Sequence, residues 1–146
     1  MKTVYAILVA AVLVGCASIQ PARVQVGDTC YRCHRSIGDP KLAGEIIDQL
    51  NAPFPFRTTG CLAKYLKANP DLKLRAVFVT DFRTGHMLLA EDAWFVPATL
   101  TQAGGKDGKK TESDYFAFRS RADAMAVKDA QAAPLRWSQV LADAQP

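Results

Sequence analysis

The strongest restriction on the fold is an internal echo in the chain. Phe54-Pro55-Phe56-Arg57-Thr58 returns as Phe116-Ala117-Phe118-Arg119-Ser120. Each copy sets two aromatics at alternate positions of an extended segment, then an arginine, then a hydroxyl residue suited to cap the helix that follows. After the first cap, Leu62, Tyr65, Leu66 and Ala68 form an apolar stripe at helical spacing; after the second come Ala122, Met125, Ala126, Val127 and Ala130, which places Met125 in the core. Beyond each helix a Leu-Arg pair, Leu74-Arg75 or Leu135-Arg136, leads into another apolar run. Two copies of a strand-strand-helix-strand unit account for this pattern. The expected fold is therefore α+β, with two homologous ββαβ units, 30–81 and 82–146, forming one compact domain. In the first unit Leu42–Ile47 and Pro53–Arg57 read as strands. Thr58 or Thr59 caps a helix that ends at Asn69-Pro70, and Leu74–Asp81 reads as a buried strand. A turn at Arg83-Thr84-Gly85 then leads through His86–Leu89 to a further strand at Trp94–Pro97.

The chain ahead of this body has a different character. Lys2 is followed by an apolar stretch from Val4 to Val14 and by Leu13-Val14-Gly15-Cys16. A basic start, a short apolar middle and a small residue before a cysteine make a secretory signal. The stretch falls well short of the roughly twenty apolar residues that a transmembrane helix needs. The closing residues look like a bacterial lipobox, so residues 1–15 are expected to be a signal peptide and Cys16 the lipidated N-terminus of the mature protein. Two or more acyl chains there would give a stable membrane anchor. Residues 16–29 read as a lipidated tether, with the protein facing the periplasm. Ala17, rather than an aspartate, follows the cysteine, which favours the outer membrane. The net charge of +4 is spread out, and its one basic run, Lys106 to Lys110, lies among Gly, Thr and Ser as a solvated loop. Nucleic acid is not indicated as a partner.

With Cys16 committed to lipid, Cys30, Cys33 and Cys61 remain, an odd number that cannot close into disulfides alone. Soft-metal or redox chemistry is implied. Cys30-Tyr31-Arg32-Cys33-His34 puts two thiols and an imidazole within five residues, a spacing that suits one soft metal ion and equally suits covalent haem c attachment. A disulfide between Cys30 and Cys33 is the remaining reading. His86 or Met87, beyond the tight turn, could complete a Cu(I) site or ligate a haem. Cys61 falls in the first turn of the helix begun at Thr58, where free backbone N–H groups would make a thiol acidic, yet it also lies on the apolar side as a buried cysteine would. No Ser-His-Asp set, carboxylate pair or glycine-rich phosphate loop stands out, so an enzyme is not expected.

Several stretches together resemble the NosL family, lipoprotein accessory factors of copper-containing nitrous oxide reductase. They are Cys30 to Cys33, Asp39-Pro40 with Ala43-Gly44-Glu45-Ile46, Thr59-Gly60-Cys61-Leu62-Ala63-Lys64-Tyr65-Leu66, Asp81 to Val96, and Ala117-Phe118-Arg119-Ser120. The resemblance implies a periplasmic Cu(I) carrier, held at the membrane by its lipid, that hands copper to a maturing copper enzyme or another copper carrier. Arg35 stands where the family has its first methionine ligand, and the loop from Gln102 to Ser113 replaces a methionine-bearing segment. The carried-over site is thus Cys30 and Cys33, with His34 inferred as a substitute ligand, Met87 as a further donor, and Cys61 as an accessory thiol. The alternative is a small electron-transfer lipoprotein with haem c on Cys30 and Cys33.

Overall fold

The computed structural model describes residues 18–103, 109–127 and 132–146. The apolar leader, Cys16, Lys106 and Ala130 lie outside them. In the first half, β1 (Gly44–Asp48) and β2 (Pro53–Phe56) form a hairpin, α1 (Thr59–Ala68) follows, and β3 (Leu74–Thr80) returns beside β1. The short β4 (Met87–Leu89) adds to β3, so the antiparallel sheet runs β2-β1-β3-β4. Local chemistry sets these boundaries. The Asp48 carboxylate accepts the N–H groups of Leu50 and Ala52, both at 2.8 Å, and Asn51 adopts a left-handed φ of 65°, which closes the hairpin. Thr58 caps α1, its hydroxyl oxygen accepting the Cys61 N–H at 3.1 Å.

The second half repeats the plan in reduced form. β5 (Trp94–Ala103) and β6 (Lys109–Phe118) make a long hairpin in which Trp94 pairs with Phe118. Ser120 caps α2 (Arg121–Met125), accepting the Asp123 N–H at 3.0 Å as Thr58 does for Cys61. The expected last strand survives as one bridge, in which Phe95 and Leu135 exchange N–H···O bonds of 2.9 and 2.8 Å. Past Leu135 the chain becomes a helix, α3 (Trp137–Asp143), rather than a strand. The Gln139 side chain accepts the Arg136 N–H at 2.8 Å and starts that helix, while Trp137 buries its ring beside Phe95.

One feature of the stripe after Ser120 is corrected. Met125 is 61% exposed, and Ala124 is the buried residue of α2. Ser120 and Asp123 set the phase of the helix, and Asp123 also pairs with Arg83 from the β3–β4 turn, so the Ala122–Met125–Ala126 side turns outward.

The two faces of the first sheet are covered differently. Ile46, Val77 and Val79 look inward to α1 and to a core shared with the second half, including Phe56, Leu62, Phe95, Trp137 and Val140. Glu45, Ile47, Ala76 and Phe78 lie on the other face, as the period of two requires. Residues 18–22, read from sequence as part of the tether, cover that second face. Ile19 packs on Ile47, Ala76 and Phe78, and the Ala22 N–H donates to the buried Glu45 carboxylate at 2.7 Å.

α1 lies close against β1 because Gly44 has no side chain. A Cβ there would meet Leu62 Cδ2 at 2.6 Å and the Phe78 carbonyl oxygen at 2.9 Å. We expect Gly44→Ala to destabilise the protein by about 1–3 kcal/mol, since the backbone carbonyl cannot yield as a side chain could. Urea unfolding of the two proteins measures this, and an unchanged midpoint would contradict it.

Candidate metal centre

Cys30 opens a tight loop. The Thr29–Ser36 bridge, the Cys30 N–H to Arg35 O bond at 2.9 Å and the His34 N–H to Cys30 O bond at 2.9 Å fold residues 30–35 back on themselves. The Tyr31 N–H donates to Pro55 O at 2.8 Å and fastens this loop to β2. Tyr31 also packs edge-on against Phe54 and Tyr65, with ring centroids 4.6 and 5.5 Å apart. Cys30 is thereby driven fully into the core, where its Sγ lies 3.5 Å from Cys61 Sγ. Cys33, half-buried on the same loop, completes a group in which all three sulfurs lie within 4.8 Å of one another.

The remaining sequence candidates do not join this group. His34 takes a left-handed φ of 56° to close the loop, is exposed, and is not among the converging ligand atoms. His86 is exposed at the start of β4, and Met87 packs against the sheet beside Ile47, Ala76 and Phe78. β4 is the far edge of the sheet from β2, three strand spacings away, or roughly 14 Å. Cys61, which sequence could assign only as an accessory or an inert thiol, is the third member of the cluster. Its helical position next to Leu62 gave no sign of Cys30, because a contact between residues so far apart in sequence is made only by the fold.

The three thiols are not equivalent. Cys30 titrates well below the ordinary thiol range. The Cys61 thiol donates to it, and the backbone N–H groups of Cys33 and Arg57 point at the same sulfur, outweighing burial. Cys61 is pushed up, first because its proton is held by Cys30 and then by burial. Of the two sequence readings of Cys61, an acidic thiol at the helix N-terminus or a buried cysteine, the structure agrees with the buried one. The donors that would have served it are taken, the Cys61 N–H by Thr58 and the Gly60 N–H by Asp114 Oδ1 at 2.7 Å. Asp114 is itself buried, which raises its carboxyl above the usual range. Beside the mouth, burial works against the Arg57 charge, but the Glu112 carboxylate at 2.9 Å and the neighbouring Cys33 hold the guanidinium protonated.

This arrangement suits a soft ion of low coordination number. A metal–sulfur bond of about 2.3 Å in a planar trigonal site puts the sulfurs about 4 Å apart, close to the spacing found here. Among the described residues no fourth histidine, cysteine or carboxylate joins the group, as a closed tetrahedral zinc site would need.

No family model matches the chain, and no curated protein sequence matches it either. Among solved structures, the chain shares the fold of the copper chaperone NosL from Shewanella denitrificans. The two superpose with a TM-score of 0.62 at 20% identity, over 84% of this chain and 96% of that one.

The charge distribution over the thiols has a direct test. In reduced protein, thiolate absorbance near the far-ultraviolet edge should persist as pH falls below the ordinary thiol pKa of about 8.5, disappearing only when Cys30 is protonated. Cys30→Ser should abolish this acid-stable signal, and a wild-type signal that appears only above the ordinary range would refute the assignment.

Proposed function

We propose that the protein is a lipid-anchored carrier of Cu(I) that works outside the cytoplasm. The observation on which this rests is the convergence of Cys30, Cys33 and Cys61 from two distant segments onto one point, partly open at Cys33. Thiolates favour soft ions such as Cu(I), and three of them hold it without saturating it against exchange. In this reading Cys33, the most accessible sulfur, is where a receiving thiol or imidazole attacks. Cys30 and Cys61 stay behind as the recess from which the ion leaves. Carriage is the role we assign, on the strength of this three-sulfur cluster.

The likeness in fold to a copper chaperone supports the choice of cargo. By analogy with the sequence resemblance given above, we take the receiver to be a periplasmic copper enzyme such as nitrous oxide reductase, or a second copper carrier. The lipid on Cys16, with the outer membrane as its location, belongs to the same proposal. Haem attachment fits the geometry poorly: Cys30 is fully buried and faces Cys61, while His34 turns to solvent, so these three residues do not address one macrocycle.

Titration of the reduced protein with Cu(I) against a chromogenic chelator should give one tightly bound ion. Cys30→Ala, Cys33→Ala and Cys61→Ala should each weaken binding by at least tenfold, about 1.4 kcal/mol, whereas His34→Ala, His86→Ala and Met87→Leu should leave it near wild type. Retention of full affinity by Cys61→Ala would remove the three-sulfur site. For the anchor, Cys16→Ser should move the protein from the membrane fraction to the soluble periplasmic fraction on cell fractionation.

A further inference from the structure

The first sheet has two ends, and they differ in character. At one end, β2 runs into Arg57 and Thr58, α1 begins, and the thiol cluster sits. At the other lie the β1–β2 turn and the α1–β3 turn, about 10 Å away along β2 from Phe56 back to Pro53. This second end projects Leu50, which at 86% exposure is the most exposed large apolar side chain described, and Leu72 at 41%. Leu50 is held out by construction: Asp48 accepts the N–H groups on either side of Asn51, and Asn51 in turn accepts from Arg75. Lys73 and Arg75 are exposed beside it, and of the acidic residues nearby Asp48 is engaged in the turn, leaving Asp71 exposed.

The N-terminal segment arrives at this same end. Ser18, Ile19 and Gln20 line one groove with Ile47, Asn51, Pro53 and Arg75. From Ala22 onward the segment is fixed by the bond to Glu45 and by Val24 in the core. Only two peptide units separate Ser18 from Cys16, and an extended chain covers no more than about 7 Å over that length. A lipid on Cys16 would therefore bring the bilayer surface up to this groove.

We infer that the end formed by Leu50, Leu72, Lys73 and Arg75 is a membrane-docking surface. Leu50 enters the interface between headgroups and acyl chains, and Lys73 and Arg75 contact anionic lipid phosphates. The inference rests on the proposed acylation of Cys16 and adds to it an orientation. Lipid alone would leave the domain free to tumble, whereas this contact holds one pole down and turns the thiol cluster away from the bilayer. An exposed leucine with cations on the neighbouring turn is what an interfacial site requires, with apolar area for the acyl boundary and positive charge for anionic headgroups.

The test uses full-length acylated protein, isolated from membranes and reconstituted into vesicles of phosphatidylethanolamine and phosphatidylglycerol that contain doxyl-labelled lipid. Two variants, Leu50→Trp on the proposed surface and Arg32→Trp on the exposed part of the loop that carries Cys33, report separately, with the signal of the native Trp94 and Trp137 subtracted using the parent protein. Shallow doxyl lipids should quench position 50 severalfold more than position 32, and added salt should reduce the difference. Equal quenching at both positions, in protein whose intact mass shows acylated Cys16, would overturn the docking surface while leaving the anchor standing. A mass without acylation would overturn the anchor and the inference with it. A fluorescence change at position 50 that tracks protein concentration in detergent, without vesicles, would assign the tip to a second copy of the chain and would likewise overturn it.

Discussion

The first turn of α1 is held from two sides, and the site depends on that grip. Thr58, one residue before the helix, takes the Cys61 N–H, while Asp114 reaches over from β6 and takes the Gly60 N–H. A buried carboxylate is costly to leave unpaired, but here it faces the positive end of a helix and accepts backbone hydrogen bonds from Gly60 and Tyr115. The contact also explains the glycine. A Cβ at position 60 would lie 3.0 Å from the Asp114 carboxylate, so any other residue there would push the carboxylate or the helix back by a few tenths of an ångström. With the helix start fixed between the two sheets, Cys61 has one place to be, and that place is against Cys30.

What the grip produces is an asymmetric thiol pair with a third thiol at its edge. Helix-terminal N–H groups commonly make a cysteine acidic, yet in this protein they are already occupied, and the charge passes to Cys30, where loop N–H groups and the Cys61 proton collect. The pair is thus biased towards a thiolate on Cys30 rather than on Cys61. Arg57 stands at the mouth, balanced by Glu112, and gives Cys33 a cationic neighbour without filling the cluster. A site of this kind has a charge ready for a soft cation and no fourth described ligand to close around it.

The two poles of the first sheet divide the remaining tasks. The hairpin at Asp48 to Pro53 and the N-terminal strap lie together at one end, and the thiols lie at the other. The segment that starts at Ser18 is not a loose linker, because Ala22 is bound to Glu45 and Ile19 packs on the outer face of the sheet.

Much of the architecture could be read from local pattern. The echo of Phe54–Thr58 in Phe116–Ser120 gave the α+β fold and the strand-to-helix order, because alternation and N-capping act over a few residues and leave their mark in them. The same locality explains the misreadings. Met125 lies on an apparent apolar stripe, but the phase of so short a helix is decided by Ser120, Asp123 and Arg83, the last from another turn altogether. The residues after Leu135 copy the beginning of a strand and become a helix once Trp137 finds Phe95. Spacing drew attention to Cys30 and Cys33, since two thiols three positions apart can meet in one loop, but it also suggested His34, His86 and Met87, whose directions depend on a left-handed loop residue and on the position of an edge strand. Cys61 was the reverse: sequence raised it only as an accessory or a buried thiol, because nothing near it pointed to Cys30. By itself the chain determined most of its strands and helices and put two thiols within reach of one loop, whereas which sulfurs share a point in space was decided only when α1 was set between two sheets, because that requires contacts no local stretch of sequence contains.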